Sequence, residues 1–261
     1  MTVFKSWNDY FIPGTTTLRN KIVSRQEPYG ISDPARLRAA EDLLVSARLI
    51  DLLLHPIAGM FDYNHMKAIH QYLFQDVYEW AGQERVAPVA PQFLDKDGHL
   101  YYPAGETLAM EANEQYRLIA KANYLRGLEQ SDFVAELAER WGEINVIHSF
   151  REGNTRSQLV FFSQLCEQAG YELRLDQLAY GTELNQEFIA ARFHSQDTGS
   201  NRTLAEVLNK TVSPLEVKRP PQSRAQLIDL IQSSVQEKLS EQIHAMPKSH
   251  PKKKREPRRK A

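Results

Sequence analysis

The chain has 261 residues, 42% hydrophobic and 25% charged, a balance that suits a globular protein with an adequate core. A single cysteine, Cys166, excludes an intrachain disulfide and points to a reducing compartment. No Sec-type leader is expected at the start, and no run approaches the ~20 apolar residues of a membrane span. The net charge of −1 averages two regions: residues 248–261 hold eight Lys or Arg and one Glu, net +7, which leaves −8 for the rest.

Residues 10–31, rich in Pro, Gly and Thr, read as an extended lead-in. Helical spacing of Leu37, Leu44, Ala47, Ile50 and Leu54 predicts a helix over residues 35–54. A second helix is expected over 62–80, with Asp62 as N-cap and Met66, Ile69, Leu73, Val77 and Trp80 on one stripe. Residues 93–102 read as a β-hairpin turning at Asp97-Gly98, the only strand signal in the chain. Helical spacing returns over 106–125. A helix over 131–147, capped by Ser131, runs directly into His148-Ser149-Phe150-Arg151-Glu152-Gly153-Asn154-Thr155-Arg156. The next helix, apolar nearly all round, stops at Gly170 and is expected at the buried centre. Two or three shorter helices fill 176–212. Residues 214–221 have linker composition, 224–243 suit an amphipathic helix, and 248–261 are too charged to fold alone.

The nine residues from His148 carry the chemistry. A turn of Gly and Asn before a helix offers free N–H groups and the positive end of the helix dipole, which suits phosphate. Arg156, in the first turn, opposes that dipole unless an anion is present. Glu152 is a hard oxygen ligand for Mg²⁺ held together with phosphates. His148 can accept a proton near neutral pH, and Phe150 plugs the turn into the core. A base, a metal ligand and an anion site within nine residues read as phosphoryl or nucleotidyl transfer. Taken singly, each has a plainer structural explanation: a packed histidine, a turn, a solvated arginine.

This run resembles the Fic signature, His-Pro-Phe-x-(Asp/Glu)-Gly-Asn-Gly-Arg. The resemblance extends to the segment from Tyr10 to Asn20, to residues 70–82 ending Trp80-Ala81-Gly82, and to Glu143–Ile147, roughly residues 10–212 in all. It implies an all-α Fic-type domain with a small β-hairpin flap over 1–213, and composition adds a linker and helix over 214–247 and a basic tail over 248–261. The implied activity is transfer of AMP from ATP to a Tyr, Thr or Ser hydroxyl of another protein. His148 would be the general base and Glu152 the Mg²⁺ ligand. Gly153, Asn154, Thr155 and Arg156 would bind the phosphates, Asn185 would lie near the base, and Leu100 and Tyr101 of the flap would dock the target segment. Ser149 replaces the usual Pro, Thr155 a Gly and Leu159 a second Arg. Thr155 requires a turn conformation that allows a side chain, and Leu159 removes a contact to the γ-phosphate.

No (Ser/Thr)-x-x-x-Glu-(Gly/Asn) inhibitory motif occurs, so a restraining helix is expected on a separate antitoxin-like chain. The tail could meet nucleic acid, an acidic partner or an anionic membrane, could serve as a translocation or import signal, or could simply solubilise. The expected place of work is the cytoplasm, with translocation into a host cell as the alternative. Two other readings of the chain are a kinase-like phosphotransferase of the same fold and a catalytically weak scaffold.

Overall fold

The computed structural model describes residues 4–215 apart from residue 97. The linker, the helix expected over 224–243 and the basic tail lie outside the described residues, as does Asp97 of the hairpin turn.

Seven α-helices and two short antiparallel strand pairs build the described part, as expected of an all-α domain with a flap. Helix α1 (Pro34–Leu54) opens with Pro at its first position and with Asp33 accepting from the Arg36 amide at 2.7 Å. Helix α2 (Tyr63–Phe74) is capped by Asp62, as its sequence predicts. It ends at Phe74 rather than Trp80. Beyond Phe74 the chain turns, and Val77, Tyr78 and Trp80 are buried from that turn, with the Tyr78 and Trp80 rings stacked at 4.4 Å. The apolar stripe therefore continues into non-helical backbone, which periodicity cannot distinguish from helix.

Strands β1 (Leu94–Lys96) and β2 (His99–Tyr101) form the expected hairpin, pairing Leu94 with Tyr101 and Lys96 with His99. Helix α3 (Glu106–Lys121) follows and gives way to a short 3₁₀ turn at Asn123–Leu125, earlier than the expected helix end. Helix α4 (Gln130–Ile147) starts at Gln130, so Ser131 lies inside it and does not cap it. Helix α5 (Asn154–Ala169) is the centre of the domain: Val160, Phe161, Phe162, Leu165 and Cys166 are all at most 1% exposed. Each such side chain contributes roughly 1.5–3 kcal/mol of burial. Gly170, with φ of +93°, ends it as expected.

One strand pair escaped the sequence reading. Strand β3 (Tyr171–Leu173) pairs with β4 (Val212–Pro214), tying the end of α5 to the end of the last described helix. Three residues apiece are too few for alternation to register. Between them lie α6 (Glu183–Thr198), capped by Thr182, and α7 (Arg202–Thr211). Helix α6 packs on α4 and on the flap: the rings of His99 and Phe193 stack at 3.9 Å, and Gln196 donates to the Leu100 carbonyl at 2.6 Å. No helix among the described residues is long and apolar enough to cross a membrane.

Candidate nucleotide and proton-transfer site

The turn between α4 and α5 gathers most of the expected site. His148 ends α4 in a left-handed conformation, φ 50° and ψ 57°. For a residue with a Cβ this costs about 1–2 kcal/mol, and here a buried arginine holds it. Arg85 donates from Nε to the His148 carbonyl at 2.7 Å and from its Nη atoms to the carbonyls of Ile147, Ala87 and Tyr102, while its amide donates to the Ser149 carbonyl at 2.9 Å. The last carbonyls of a helix are its negative end, so the guanidinium sits where the dipole favours it. Burial still pulls it down to about 10.

The turn itself is locked from inside. The Asn154 side chain is 4% exposed. Its Oδ1 accepts from the Phe150 amide at 2.9 Å and its Nδ2 donates to the Phe150 carbonyl at 2.8 Å. Phe150 is buried, as expected, with its ring stacked 3.8 Å from His70. The Gly82 amide donates to His70 Nδ1 at 2.8 Å, so Nε2 carries the proton and donates to the Glu152 carbonyl at 2.9 Å. Burial pushes this imidazole down to about 3, so it is neutral at physiological pH. His70 therefore fixes the carbonyl just before Gly153.

Gly153 takes φ of +83° and starts α5 without a side-chain cap. The N–H groups of Asn154, Thr155 and Arg156 therefore lack intrahelical partners and carry the positive end of the dipole. Thr155 fits because it is already the second residue of the helix, with no positive φ, so its Cβ is unstrained. Arg156 pairs with Glu41 of α1, and Glu152 Oε1 lies 3.7 Å from it. Leu159 packs half-buried against the core. Arg151 points the other way, its guanidinium 4.1 Å above the Trp7 ring and near those of Tyr10 and Phe11, and so fastens the turn to the lead-in.

His148 is 9% exposed, with its Nδ1 buried and unpartnered. Burial, with the positive charges of Lys96, Arg85, Arg192 and Arg151 around it, holds its imidazole well below the ordinary histidine range. The ring is neutral near pH 7 and can take up a proton. Tyr101 of β2 is buried with its ring 4.2 Å from the imidazole, while Leu100 is 57% exposed. The flap residues thus divide: one closes over the histidine and one faces outward. Asn185 lies near the start of α6, where its Nδ2 donates to the Leu178 carbonyl at 2.9 Å. No bond joins it to the turn.

Glu152 is the carboxylate of the turn, and among the described residues no three His, Cys, Asp or Glu gather into a metal cage. A lone carboxylate fits Mg²⁺ that arrives with substrate phosphates. Four residues of the site were not read from sequence: Arg85, His70, Glu41 and Arg192. The signal for Arg192 was present, because Phe188, Ala191, Arg192 and Ser195 form the buried face of α6 and a charge interrupts it.

Comparison with known proteins agrees with this geometry. The family model described as Fic/DOC matches residues 60–166. The chain is 32% identical over 220 residues to the protein adenylyltransferase VbhT of Bartonella schoenbuchensis, covering 84% of this chain and 42% of VbhT. It therefore spans less than half the length of that relative. It is 37% identical over 162 residues to the probable protein adenylyltransferase y4lH of Sinorhizobium fredii, covering 62% of this chain and 76% of that protein. Among solved structures, BepC of Bartonella tribocorum with bound AMPPNP superposes with a TM-score of 0.69 at 23% identity, covering 80% of this chain and 98% of that one. This last likeness concerns the fold. A proton acceptor ahead of an uncapped buried helix, a flap closed over it, and a relative at 37% identity of which the chain covers 76% have one common reading: the chain belongs to the Fic/DOC family.

Proposed function

We propose that the chain is a protein adenylyltransferase, which transfers AMP from ATP to a hydroxyl side chain of a target protein. The observation that carries this reading is the neutral, flap-covered imidazole of His148 at the uncapped N-terminus of α5. His148 takes the proton of the incoming hydroxyl as its oxygen attacks the α-phosphorus. The bond from that phosphorus to the bridging oxygen breaks, and pyrophosphate leaves with the electron pair. The products are the AMP ester, pyrophosphate and a protonated imidazole that returns its proton to water.

The Gly153 amide donates to Glu152 Oε1 at 3.0 Å, so Gly153 shapes the cradle while the free amides of Asn154 and Thr155 meet the phosphate oxygens, and Arg156 adds a charged contact to the outer phosphates. Glu152 would hold Mg²⁺ against the phosphates, and the ion would offset their negative charge. Asn185 sits on the side proposed for the nucleotide base. Leu100, outward on β2, is proposed to receive the target segment beside the flap, with Tyr101 shielding the imidazole from water.

The proposed place of work is the cytoplasm, with delivery into a host cell as an effector as the alternative. A small antitoxin-like inhibitor chain is the proposed restraining partner. The test uses ATP labelled at the α- or γ-phosphate with cell lysate, wild type beside His148→Ala. Label from the α position that requires His148 supports AMP transfer. Label from γ alone would replace this reading with phosphoryl transfer. Label from neither would leave a scaffold, a reading favoured by Leu159 and by the occupied Arg156.

A further inference from the structure

Arg192 of α6 lies in the crevice between α4, α5 and α6, 8% exposed. It donates from Nη1 to Thr155 Oγ1 at 3.0 Å, and from Nη2 to Asn145 Oδ1 and to Gln158 Oε1 at 3.4 Å. All three acceptors are neutral. One of them, Gln158 Oε1, is shared with the Trp141 indole N–H at 3.2 Å. The Nε of Arg192 is buried without a partner, and no ion pair is made by this residue among the described residues. Beneath the guanidinium lies the Phe188 ring, 5.3 Å away. Burial pulls it down to about 10, so it remains charged.

A buried charge is normally paired, because an unpaired one carries its full desolvation cost. The other cations around the turn meet this need locally. Arg85 faces the carbonyls that end α4, Arg156 faces Glu41 and Glu152, and Arg151, whose Nε is likewise buried without a partner, lies over three aromatic rings and in the field of Glu152. Arg156 and Arg192 both stand at the positive end of α5, where the dipole opposes a cation, and of the two only Arg192, which reaches it through Thr155, does so with no carboxylate partner among the described residues. Its charge and the free amides of α5 add rather than cancel. Thr155 and Leu159 stand four residues apart on α5, so the guanidinium at Thr155 is delivered to the helical face on which position 159 is uncharged.

We propose that Arg192 is the phosphate-selecting cation of this site: from α6 it supplies the first turn of α5 with a positive charge that becomes neutralised when a nucleoside polyphosphate is bound. The inference rests on the nucleotide reading given above and extends it to a residue outside the signature. Arg192 is a positioning and specificity residue, acting on the phosphates through Thr155 and through its field. Asn145, three residues before His148, couples the same guanidinium to the end of α4.

The test is calorimetric titration of the full chain with ATP, ADP, AMP and adenosine in magnesium buffer, for wild type, Arg192→Met, Arg192→Lys and Thr155→Val. Expected for Arg192→Met is a loss graded by ligand charge: roughly ten- to a hundredfold for ATP, less for ADP and AMP, and none for adenosine. Arg192→Lys should restore part of the ATP affinity, and Thr155→Val should show the same ordering with a loss of a few fold. Should Arg192→Met fail to fold, Arg192→Gln keeps polar groups in the crevice and carries the same comparison, and Thr155→Val carries it independently. Equal losses across all four ligands would make Arg192 merely structural and overturn the proposal, as would unchanged ATP affinity. If wild type binds ATP but Arg192 proves neutral to it, only this inference falls. If wild type binds none of the four, the nucleotide site falls with it.

Discussion

Glu41, in the middle of α1, forms an ion pair with Arg156 in the first turn of α5, 115 residues further along. The same carboxylate accepts from the Tyr78 hydroxyl, and the Arg156 guanidinium lies 4.7 Å above the Phe74 ring. The cation assigned to the outer phosphates is therefore already occupied. An incoming triphosphate must share Arg156 with Glu41 or displace it, and the negative charge of Glu41 repels the ligand in either case. Glu41→Gln keeps the shape and an acceptor for Tyr78 while removing the charge. Affinity for ATP is expected to rise about three- to tenfold, in line with the ~1 kcal/mol of a partly exposed pair. Calorimetry checks it; weaker binding would mean that Glu41 holds Arg156 in its binding pose.

Gly153 joins α2 to the turn by close contact. A Cβ added there would sit 2.2 Å from Phe74 Cζ, and Phe74 is itself fully buried. The φ of +83° adds left-handed strain to that overlap. Gly153→Ala is expected to cost about 1–3 kcal/mol from overpacking and a further ~1–2 kcal/mol from the backbone. Urea denaturation measures the first effect. Loss of ATP binding at a temperature where the variant is still folded measures displacement of the turn. A variant as stable as wild type would refute the contact.

These two relationships show where sequence reading stops. The nine residues from His148 were legible because they are contiguous and their order is itself the signal. The helices were legible because α4 and α5 bury wide faces at helical spacing. The partners of the motif come from elsewhere: Glu41 from α1, His70 from α2, Arg85 from the loop after α2, Arg192 from α6. A local pattern does not encode which surface charge will face which turn. His70 sits in the apolar stripe with Met66, Ile69 and Leu73, and there a histidine reads as a packed one. It is indeed packed, but its two ring nitrogens also bridge Gly82 to Glu152. The expected cap at Ser131 and the helix to Trp80 failed for a related reason. Tertiary packing chose the ends, while cap chemistry and apolar spacing were compatible with several.

The buried histidines make the fold acid-sensitive. Burial drives His70 down to about 3 and also lowers His65 and His148. Near pH 7 native and unfolded chains alike keep these rings neutral, so nothing is lost. Below about 6.5 the unfolded chain takes up protons that the native chain refuses, so stability falls as the pH drops. For His70 the loss runs from about 6.5 down to about 3, at up to ~1.4 kcal/mol per pH unit. Urea midpoints should therefore decline steadily through this range. Replacing His70 by Gln, which can still donate to the Glu152 carbonyl, should lower stability at neutral pH and flatten the decline by one group. An identical slope in that variant would assign the acid sensitivity to other residues.

The imidazole proposed as the base has its own pH signature. Beyond burial, the largest influence lowering His148 is Lys96 of β1, followed by Arg85, Arg192 and Arg151. Every one of these charges disfavours the protonated ring, and the Tyr101 ring that covers it adds no negative charge in its neutral form. The base is active when neutral, so AMP transfer should persist to pH values below the ordinary histidine range and fail only under more acidic conditions. Lys96→Met removes one opposing charge from an exposed flap position, which raises the pKa of the imidazole and moves the acid limb towards neutrality. The ratio of single-turnover rates at about pH 5.5 and about pH 7.5 should accordingly be lower in the variant than in wild type. The ratio separates titration from target docking, since weaker docking through the altered flap lowers both rates together. An acid limb that stays in the same place in the variant when the profile is carried down to where activity fails would mean that Lys96 does not depress the group that takes the proton.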